Sequence, residues 1–435
     1  MGLVIGKLGF GKDEFFYGLD LCLHKAGRTA YVIDERTAQA CDVILITLFW
    51  WRDIYLLESF LRKAGIRKGG GGPVLIAGGM QATMCPAVIG KMVDVVFIGD
   101  ADDELGSMLD QAERGEQPES AHLYRDGDAV VPAPKECAPS AFALHKGGKR
   151  DVVRIEIARG CKFACGFCAL TGLKSYREVA FADIEPLLAI SSPAPVSLFA
   201  PERTKHSEWP EISGYLESHN RRDLGQDVRL EQLQEIKTSS VTFGLEGISL
   251  RLRKSIGKGW KEEFVLDRLR NFVETRNGVA MVSVYFIADL PGEDEGDWAE
   301  LRQLFEKIEA AEWSRRLTLK PVLNPFSPKP FTPLANAEIH PFRPYGERWR
   351  TILRKGGSGQ WGFRCVETMV WGPFERILDV IATRGGADAY EVVRRLPPRL
   401  LSGKPPVADN ERTARQILDL AASFGLTEEL LGVAA

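Results

Sequence analysis

No apolar run in this 435-residue chain reaches the roughly eighteen residues that a membrane-spanning helix needs, so an ordinary transmembrane segment is excluded. Charge of one sign is also scarce: a net charge of −3 argues against a globally basic nucleic-acid binder, while leaving room for a local basic groove. Histidine is sparse, at six residues, and none pairs with another at metal-ligand spacing. Eight cysteines fail to form a disulfide ladder, because three are clustered and five (Cys22, Cys41, Cys85, Cys137 and Cys365) are scattered. That distribution points to a reducing, cytoplasmic setting. The start, Met1-Gly-Leu-Val-Ile5, runs directly into a Gly- and Lys-containing loop without the apolar core of a secretory leader. Internal repeats and low-complexity tracts are lacking too. What remains is an ordinary globular composition, 45% hydrophobic and 26% charged, long enough for two or three domains.

Residues 1–130 alternate short apolar runs with helical patterns. Arg28–Ile33, Asp42–Ile46, Pro73–Ala77 and Val93–Ile98 have the composition of buried strands, and Asp53–Ala64 that of an intervening helix. Such alternation predicts a doubly wound parallel sheet covered on both faces. Residues 131–150, with Pro132, Pro134, Pro139 and Lys146-Gly-Gly-Lys149, read as a linker. A second α/β alternation fills 151–345, with candidate strands Val152–Ala158, Pro195–Ala200, Asp227–Leu230, Ser240–Leu245, Ala280–Ile287 and Leu317–Leu323. Six such units fall short of the eight that close a full barrel. Residues 346–435 read as a helical C-terminal domain, with amphipathic patterns at Pro373–Thr383, Ala387–Arg395 and Asn410–Ser423. Between these regions, Arg343–Trp371 interleaves arginines with Tyr345, Trp349, Trp361 and Trp371, a pattern that suits either a nucleic-acid grip or the wet and buried faces of one helix.

Chemistry concentrates in Cys161-Lys-Phe-Ala-Cys165-Gly-Phe167-Cys168. C-x3-C-x2-C supplies three thiolates from one short loop, one too few for a closed tetrahedral zinc site or a fully protein-ligated four-iron cluster. A [4Fe–4S] cluster held this way keeps one iron open for chemistry. The competing reading is a zinc knuckle that borrows a distant fourth ligand. The whole stretch from Glu156 through Arg159-Gly160 to Cys168 resembles the signature loop of radical S-adenosylmethionine (SAM) enzymes. That resemblance implies a partial (β/α)6 TIM barrel as radical SAM core. It also implies Cys161, Cys165 and Cys168 as cluster ligands, Phe167 on the adenine side of SAM, and a flavodoxin- or ferredoxin-type electron donor.

Further residues follow from the same resemblance. Phe199-Ala-Pro201-Glu202 stands where radical SAM enzymes place Gly-Gly-Glu, which makes Glu202 the candidate for the SAM ammonium; the bland alternative is an exposed surface glutamate. Phe243-Gly244-Leu-Glu246-Gly-Ile-Ser249 resembles the family's Gly-Leu-Glu-Ser turn. Gly244 would permit close backbone approach and Glu246 would meet a polar group of SAM or order the loop, with Arg251 and Lys258 following in the same pattern. Leu290-Pro-Gly292-Glu293 resembles the turn after the fifth strand, with Glu293 in a structural role. The N-terminal region resembles the cobalamin-binding, Rossmann-like domain fused to many of these enzymes, with Gly78 and Gly79 lying against the cofactor's nucleotide tail. The cobalt-ligating Asp-x-His-x-x-Gly is missing, since His24-Lys-Ala-Gly27 reads as a helix end, and Trp50-Trp51 are bulky beside the expected corrin. Cobalamin is therefore an optional cofactor on this reading. The expected reaction is hydrogen abstraction from a substrate carbon leading to rearrangement, as in isomerases acting on hypermodified thymidine of phage DNA. The alternatives are cobalamin-dependent C-methylation and, from another class, a non-catalytic metal-binding module.

Overall fold

The computed structural model describes residues 2–11, 16–146, 152–190, 194–221, 223–225, 227–355, 360–366, 371–397 and 410–434. The chain divides into two compact units: Met1–Cys137 with Gly372–Ala435, and Ala138–Trp371.

In the first unit the strands are β1 (Ile5–Gly9), β2 (Tyr31–Val32), β3 (Val43–Thr47), β4 (Val74–Gly78), β5 (Val95–Phe97) and β6 (Leu123–Tyr124). Their order is β2-β1-β3-β4-β5-β6, all parallel except the antiparallel β6. This is the flavodoxin-like doubly wound order, in which ligands bind beyond the C-terminal strand ends where the winding reverses. β3 is apolar and buried from Val43 to Ile46, as a strand in the middle of a doubly wound sheet should be. Helix Trp51–Ala64 begins where Asp53 accepts the Phe49 and Trp50 amides (2.7 and 2.9 Å), and it stops at Gly65, whose φ is +68°.

The C-terminal helices, expected as a domain of their own, belong to this first unit. Pro373–Arg384 buries Phe374, Ile377, Leu378 and Ile381, and the buried Tyr55 hydroxyl donates to the Leu378 carbonyl at 2.7 Å. Asn410–Ala422 packs against the same helix. The expected linker is structured as well: Lys135 bridges to Gly99, and β7 (Ala143–Lys146) pairs with the second unit's first long strand. Residues 147–150 of that linker lie outside the described residues.

The second unit continues with β8 (Val152–Glu156), β9 (Ala158–Arg159), β10 (Arg177–Glu178), β11 (Val196–Phe199), β12 (Ser240–Gly247), β13 (Ala280–Ala288), β14 (Leu317–Pro325) and β15 (Arg364–Cys365). β8 pairs in parallel with β11, and β12 to β15 form a parallel sheet in sequence order. Of the six expected barrel strands, the third is reduced to single bridges. Asp223 pairs with Val196 and Asp227 with Thr242, after which the chain turns into a 3-10 helix at Leu230–Glu235. Those parallel bridges link the two sheets into one partial-barrel order. Val153, Ile155, Val196 and Leu198 form the core beneath helices Phe181–Ile190 and Trp209–Ser218.

The Arg/Trp segment places most of its aromatics on the buried face of a helix and its surroundings. Tyr345, Trp349 and Trp361 are buried, and Trp349 and Trp361 pack on Phe305 at 6.5 and 5.5 Å. Helix Tyr345–Leu353 turns Tyr345 and Trp349 inward and Trp361 joins them in the core of the second unit, whereas Trp371 stays 38% exposed.

Candidate active site

The cysteine loop leaves the end of β8. Glu156 and Arg159, both buried, meet in a two-pronged ion pair, with Nε to Oε1 at 3.1 Å and Nη2 to Oε2 at 2.8 Å. Gly160 follows at φ +78°, and a Cβ there would stand 2.0 Å from the Ser175 carbonyl oxygen, so only glycine fits. Past it, Cys165 is buried and Cys161 and Cys168 are half-buried. Burial pushes the Cys165 and Cys168 thiols up; at Cys165 the facing Lys258 and Arg229 oppose it. The thiols lie within electrostatic reach of one another, although among the described residues no three ligand side chains converge as a preassembled metal centre. Thr171 closes the loop by donating to the Phe163 carbonyl at 3.0 Å.

Each large non-cysteine side chain of the loop meets a cation–aromatic contact. Lys162 lies 4.5 Å from the Tyr176 ring centre, the Arg229 guanidinium 3.6 Å from that of Phe163, and Lys258 5.9 Å from that of Phe167. Arg229 and Lys258 share a second ring, Trp260, whose indole donates to Glu231 at 2.8 Å. Lys258 also pairs with Glu246 at 2.9 Å and donates to the Gly244 carbonyl at 3.2 Å. Phe167, Gly244 and Glu246 are thereby brought together. Glu246 adopts φ +65° at a bulge in β12, and its carboxylate occupies the space of the missing Gly244 side chain: a Cβ there would lie 1.9 Å from Oε1.

Glu202, at the end of β11, is buried rather than surface-exposed. Burial raises its carboxyl, opposed by the Thr204 hydroxyl, which donates to it at 2.7 Å, and then by Arg229. Tyr176 faces both Glu202 and Cys161 electrostatically. Glu293 is drawn inward on the turn after β13: Trp298 donates to one oxygen at 3.0 Å, the other is buried without a partner, and burial lifts the carboxyl to about 7. Arg229, Tyr176, Glu178 and Trp260 escaped the sequence reading, since none falls in a recognisable motif and each acts through a residue distant in the chain.

In the first unit, Gly78 ends β4 and Gly79 follows at φ +101°. A Cβ on Gly79 would meet the Leu48 carbonyl oxygen at 2.6 Å, whereas one on Gly78 would meet nothing within 4 Å. Beside them Trp51 is buried and packs on Tyr55, while Phe49 and Trp50 remain accessible. His24 is exposed near the end of its helix, with Gly27 at φ +63° just beyond. An open glycine beside accessible rings, beyond C-terminal strand ends, fits a flat organic ligand such as a corrin. The position of His24 supplies no cobalt ligand there.

No family model matches the chain. It is 23% identical over 310 residues to the uncharacterized protein MJ0966 of Methanocaldococcus jannaschii, covering 67% of each. The radical SAM methyltransferase TsrM from Kitasatospora setae, solved with tryptophan substrate and a SAM analogue, matches at TM-score 0.56 and 14% identity, over 76% of this chain and 74% of that one. The cobalamin-dependent SAM radical enzyme OxsB, solved with aqua-cobalamin and SAM, gives TM-score 0.45 and 13% identity, over 83% and 57%. At these identities the likeness concerns architecture, and on that level the chain shares the fold of a radical SAM methyltransferase.

Proposed function

We propose that this chain is a radical SAM enzyme with a cobalamin-binding-type domain, and that it transfers a methyl group to a substrate carbon. The observation that carries the reading is the meeting of the three-cysteine loop with the turn that holds Glu202, through Lys162 on the Lys205 carbonyl, and with the Glu246–Lys258 pair, through Phe167. Cys161, Cys165 and Cys168 would hold a [4Fe–4S] cluster. Glu202 would take the SAM ammonium, and Phe167, Gly244 and Glu246 would frame the rest of SAM. When bound, cluster and SAM supply a one-electron cleavage of the sulfonium to a 5′-deoxyadenosyl radical that abstracts hydrogen from carbon, and cobalamin supplies a transferable methyl group. The chain's own part is to orient these groups and shield them: Arg229 and Lys258 are fixed by stacking and ion pairing, and Glu202 lies away from bulk water.

Two observations favour methylation over rearrangement. Of Trp50 and Trp51, whose bulk argued against a corrin, Trp51 is tucked into the core while Trp50 is half-exposed, and the space beside Gly78 is open. Of the aromatics that suggested a nucleic-acid substrate, Tyr345, Trp349 and Trp361 are core, and only Trp371 among them is exposed. A low-potential flavodoxin- or ferredoxin-type donor would provide the electron, in a reducing compartment that suits cysteines not joined in disulfides.

Anaerobic reconstitution tests the proposal. Wild-type protein should hold one [4Fe–4S] cluster, retain hydroxocobalamin through gel filtration and cleave SAM under reduction. Replacing Cys161, Cys165 and Cys168 together by Ala should abolish cluster and cleavage. A triple variant that still made 5′-deoxyadenosine would defeat the assignment. Cleavage without corrinoid retention would return the reaction to rearrangement.

A further inference from the structure

The Glu178 carboxylate collects four donors from three parts of the chain. Oε1 accepts from the Tyr176 hydroxyl (2.7 Å), Lys162 Nζ (2.9 Å) and the Ser207 amide (2.9 Å), and Oε2 accepts from the Ser207 hydroxyl. Against the upward push of burial, the bonds from Ser207, Tyr176 and Lys162 hold this carboxyl down at about 2, so it is ionised throughout the working range. An ionised carboxylate can accept about four such bonds and offers no donor of its own.

The partners decide what the hub does. Lys162 is the residue after Cys161, and its ammonium also donates to the Lys205 carbonyl at 2.8 Å. Ser207 closes the turn that Glu202 opens. That turn is pinned twice more to the chain just after Glu178, by His206 Nε2 with the Val179 carbonyl (2.9 Å) and by the Phe181 amide, at the start of the next helix, donating to Glu208 (2.8 Å). Tyr176 stands under Lys162, with the ammonium 4.5 Å from its ring centre.

We propose that Glu178 is a positioning residue that locks the cysteine loop to the Glu202 turn, so that the cluster-ligating thiol of Cys161 and the ammonium-binding carboxylate of Glu202 are preset for one SAM molecule. The inference rests on the proposed SAM site and adds to it a residue that touches neither cluster nor SAM. Its effect is on SAM affinity and pose, through the Lys162 link.

The test uses reconstituted holoenzyme carrying Glu178→Gln, Lys162→Met or Lys162→Arg. Iron and sulfide per chain, SAM Kd, and the electron paramagnetic resonance spectrum of the reduced cluster with and without SAM are measured. Glutamine at 178 removes the negative charge that Lys162 pairs with and turns an NH2 group toward existing donors, whereas arginine at 162 keeps the cation. Glu178→Gln and Lys162→Met should retain the cluster, weaken SAM binding by about tenfold to a hundredfold and blunt the SAM-induced spectral change, while Lys162→Arg stays near wild type. Wild-type SAM affinity and spectra in both Glu178→Gln and Lys162→Met would overturn the positioning role alone. Loss of cluster in both, with unchanged affinity in the loaded fraction, would also overturn it, making Glu178 a folding element. Wild-type protein that holds no cluster would instead defeat the underlying assignment.

Discussion

The two parallel sheets finish their C-terminal edges in different ways. In the first unit the edge is made of backbone: Gly79 lies against the Leu48 carbonyl, and Thr83 links the Gly79 carbonyl to the Gly99 amide at 3.1 and 3.0 Å. In the second unit the edge is made of charged and aromatic side chains, with Lys162, Arg229 and Lys258 each set against a ring. A backbone edge can offer a broad, sequence-tolerant surface to a large ligand, while a charged edge can fix a small zwitterion in one pose. The contrast also separates glycines that look alike in sequence. Gly79 and Gly160 make room for the chain's own backbone, Gly244 for its own carboxylate, and Gly78 for nothing within the protein.

The largest effects should come from filling Gly160 and Gly79, two of the glycines packed against backbone. Gly160→Ala and Gly79→Ala each place a methyl group 2.0 and 2.6 Å from a carbonyl oxygen while holding a positive φ. Each should cost about 2–5 kcal/mol, read as a lowered urea midpoint for the unit concerned. An unchanged midpoint in either variant would show that its glycine is spared for a ligand rather than required by packing.

Next in size is the ion pair that organises the charged edge. Lys258 and Glu246 are 12% and 14% accessible, so Lys258→Met strands a mostly buried carboxylate and should lose about 2–4 kcal/mol. Adding Glu246→Gln should restore a good part of that stability without restoring SAM binding. Full additivity of the two changes would mean that the pair is not coupled.

Glu293 offers a smaller effect with a pH signature. Its folded-state pKa of about 7 lies above the ordinary 4.5, so the fold prefers the protonated form. The stabilisation is complete below about pH 4.5 and is lost as pH rises through 7, above which a buried charge is carried. Glu293→Gln, neutral throughout, should therefore gain about 1–3 kcal/mol on wild type at pH 8–9 relative to pH 4.5. Parallel melting temperatures across that range would contradict the burial of this carboxyl.

How far all this was legible in the sequence depended on distance along the chain. The three-cysteine loop, the ends of β11 and β12 and the amphipathic helices are local patterns, and they stand where spacing placed them. The strand expected at Asp227–Leu230 had the right composition but keeps only a bridge, because the chain turns at once into a 3-10 helix. Attachment of the C-terminal helices to the first unit rests on contacts such as Tyr55 with Leu378, a pairing that no local pattern encodes. Glu178 falls in no motif, since its meaning lies in Lys162 and Ser207 on either side of it in sequence.

The smallest expected change to the fold is also the one that decides the cofactor. Gly78 ends a central strand at an ordinary negative φ or extended backbone, and a Cβ there would meet no atom within 4 Å. Gly78→Val should therefore fold with a stability within about 1 kcal/mol of wild type, because a β-branched residue suits a strand end. Its isopropyl group would project into the space assigned to the corrinoid's tail, beside the accessible rings of Phe49 and Trp50. Corrinoid retention through gel filtration should fall at least tenfold, with cluster content and SAM cleavage in the second unit preserved. Gly79→Ala cannot make this distinction, since a methyl there disturbs Leu48 whether or not a ligand binds. If Gly78→Val holds hydroxocobalamin as well as wild type, the open face beside β4 is not the corrinoid site. Methyl transfer would then lose its structural support in this chain.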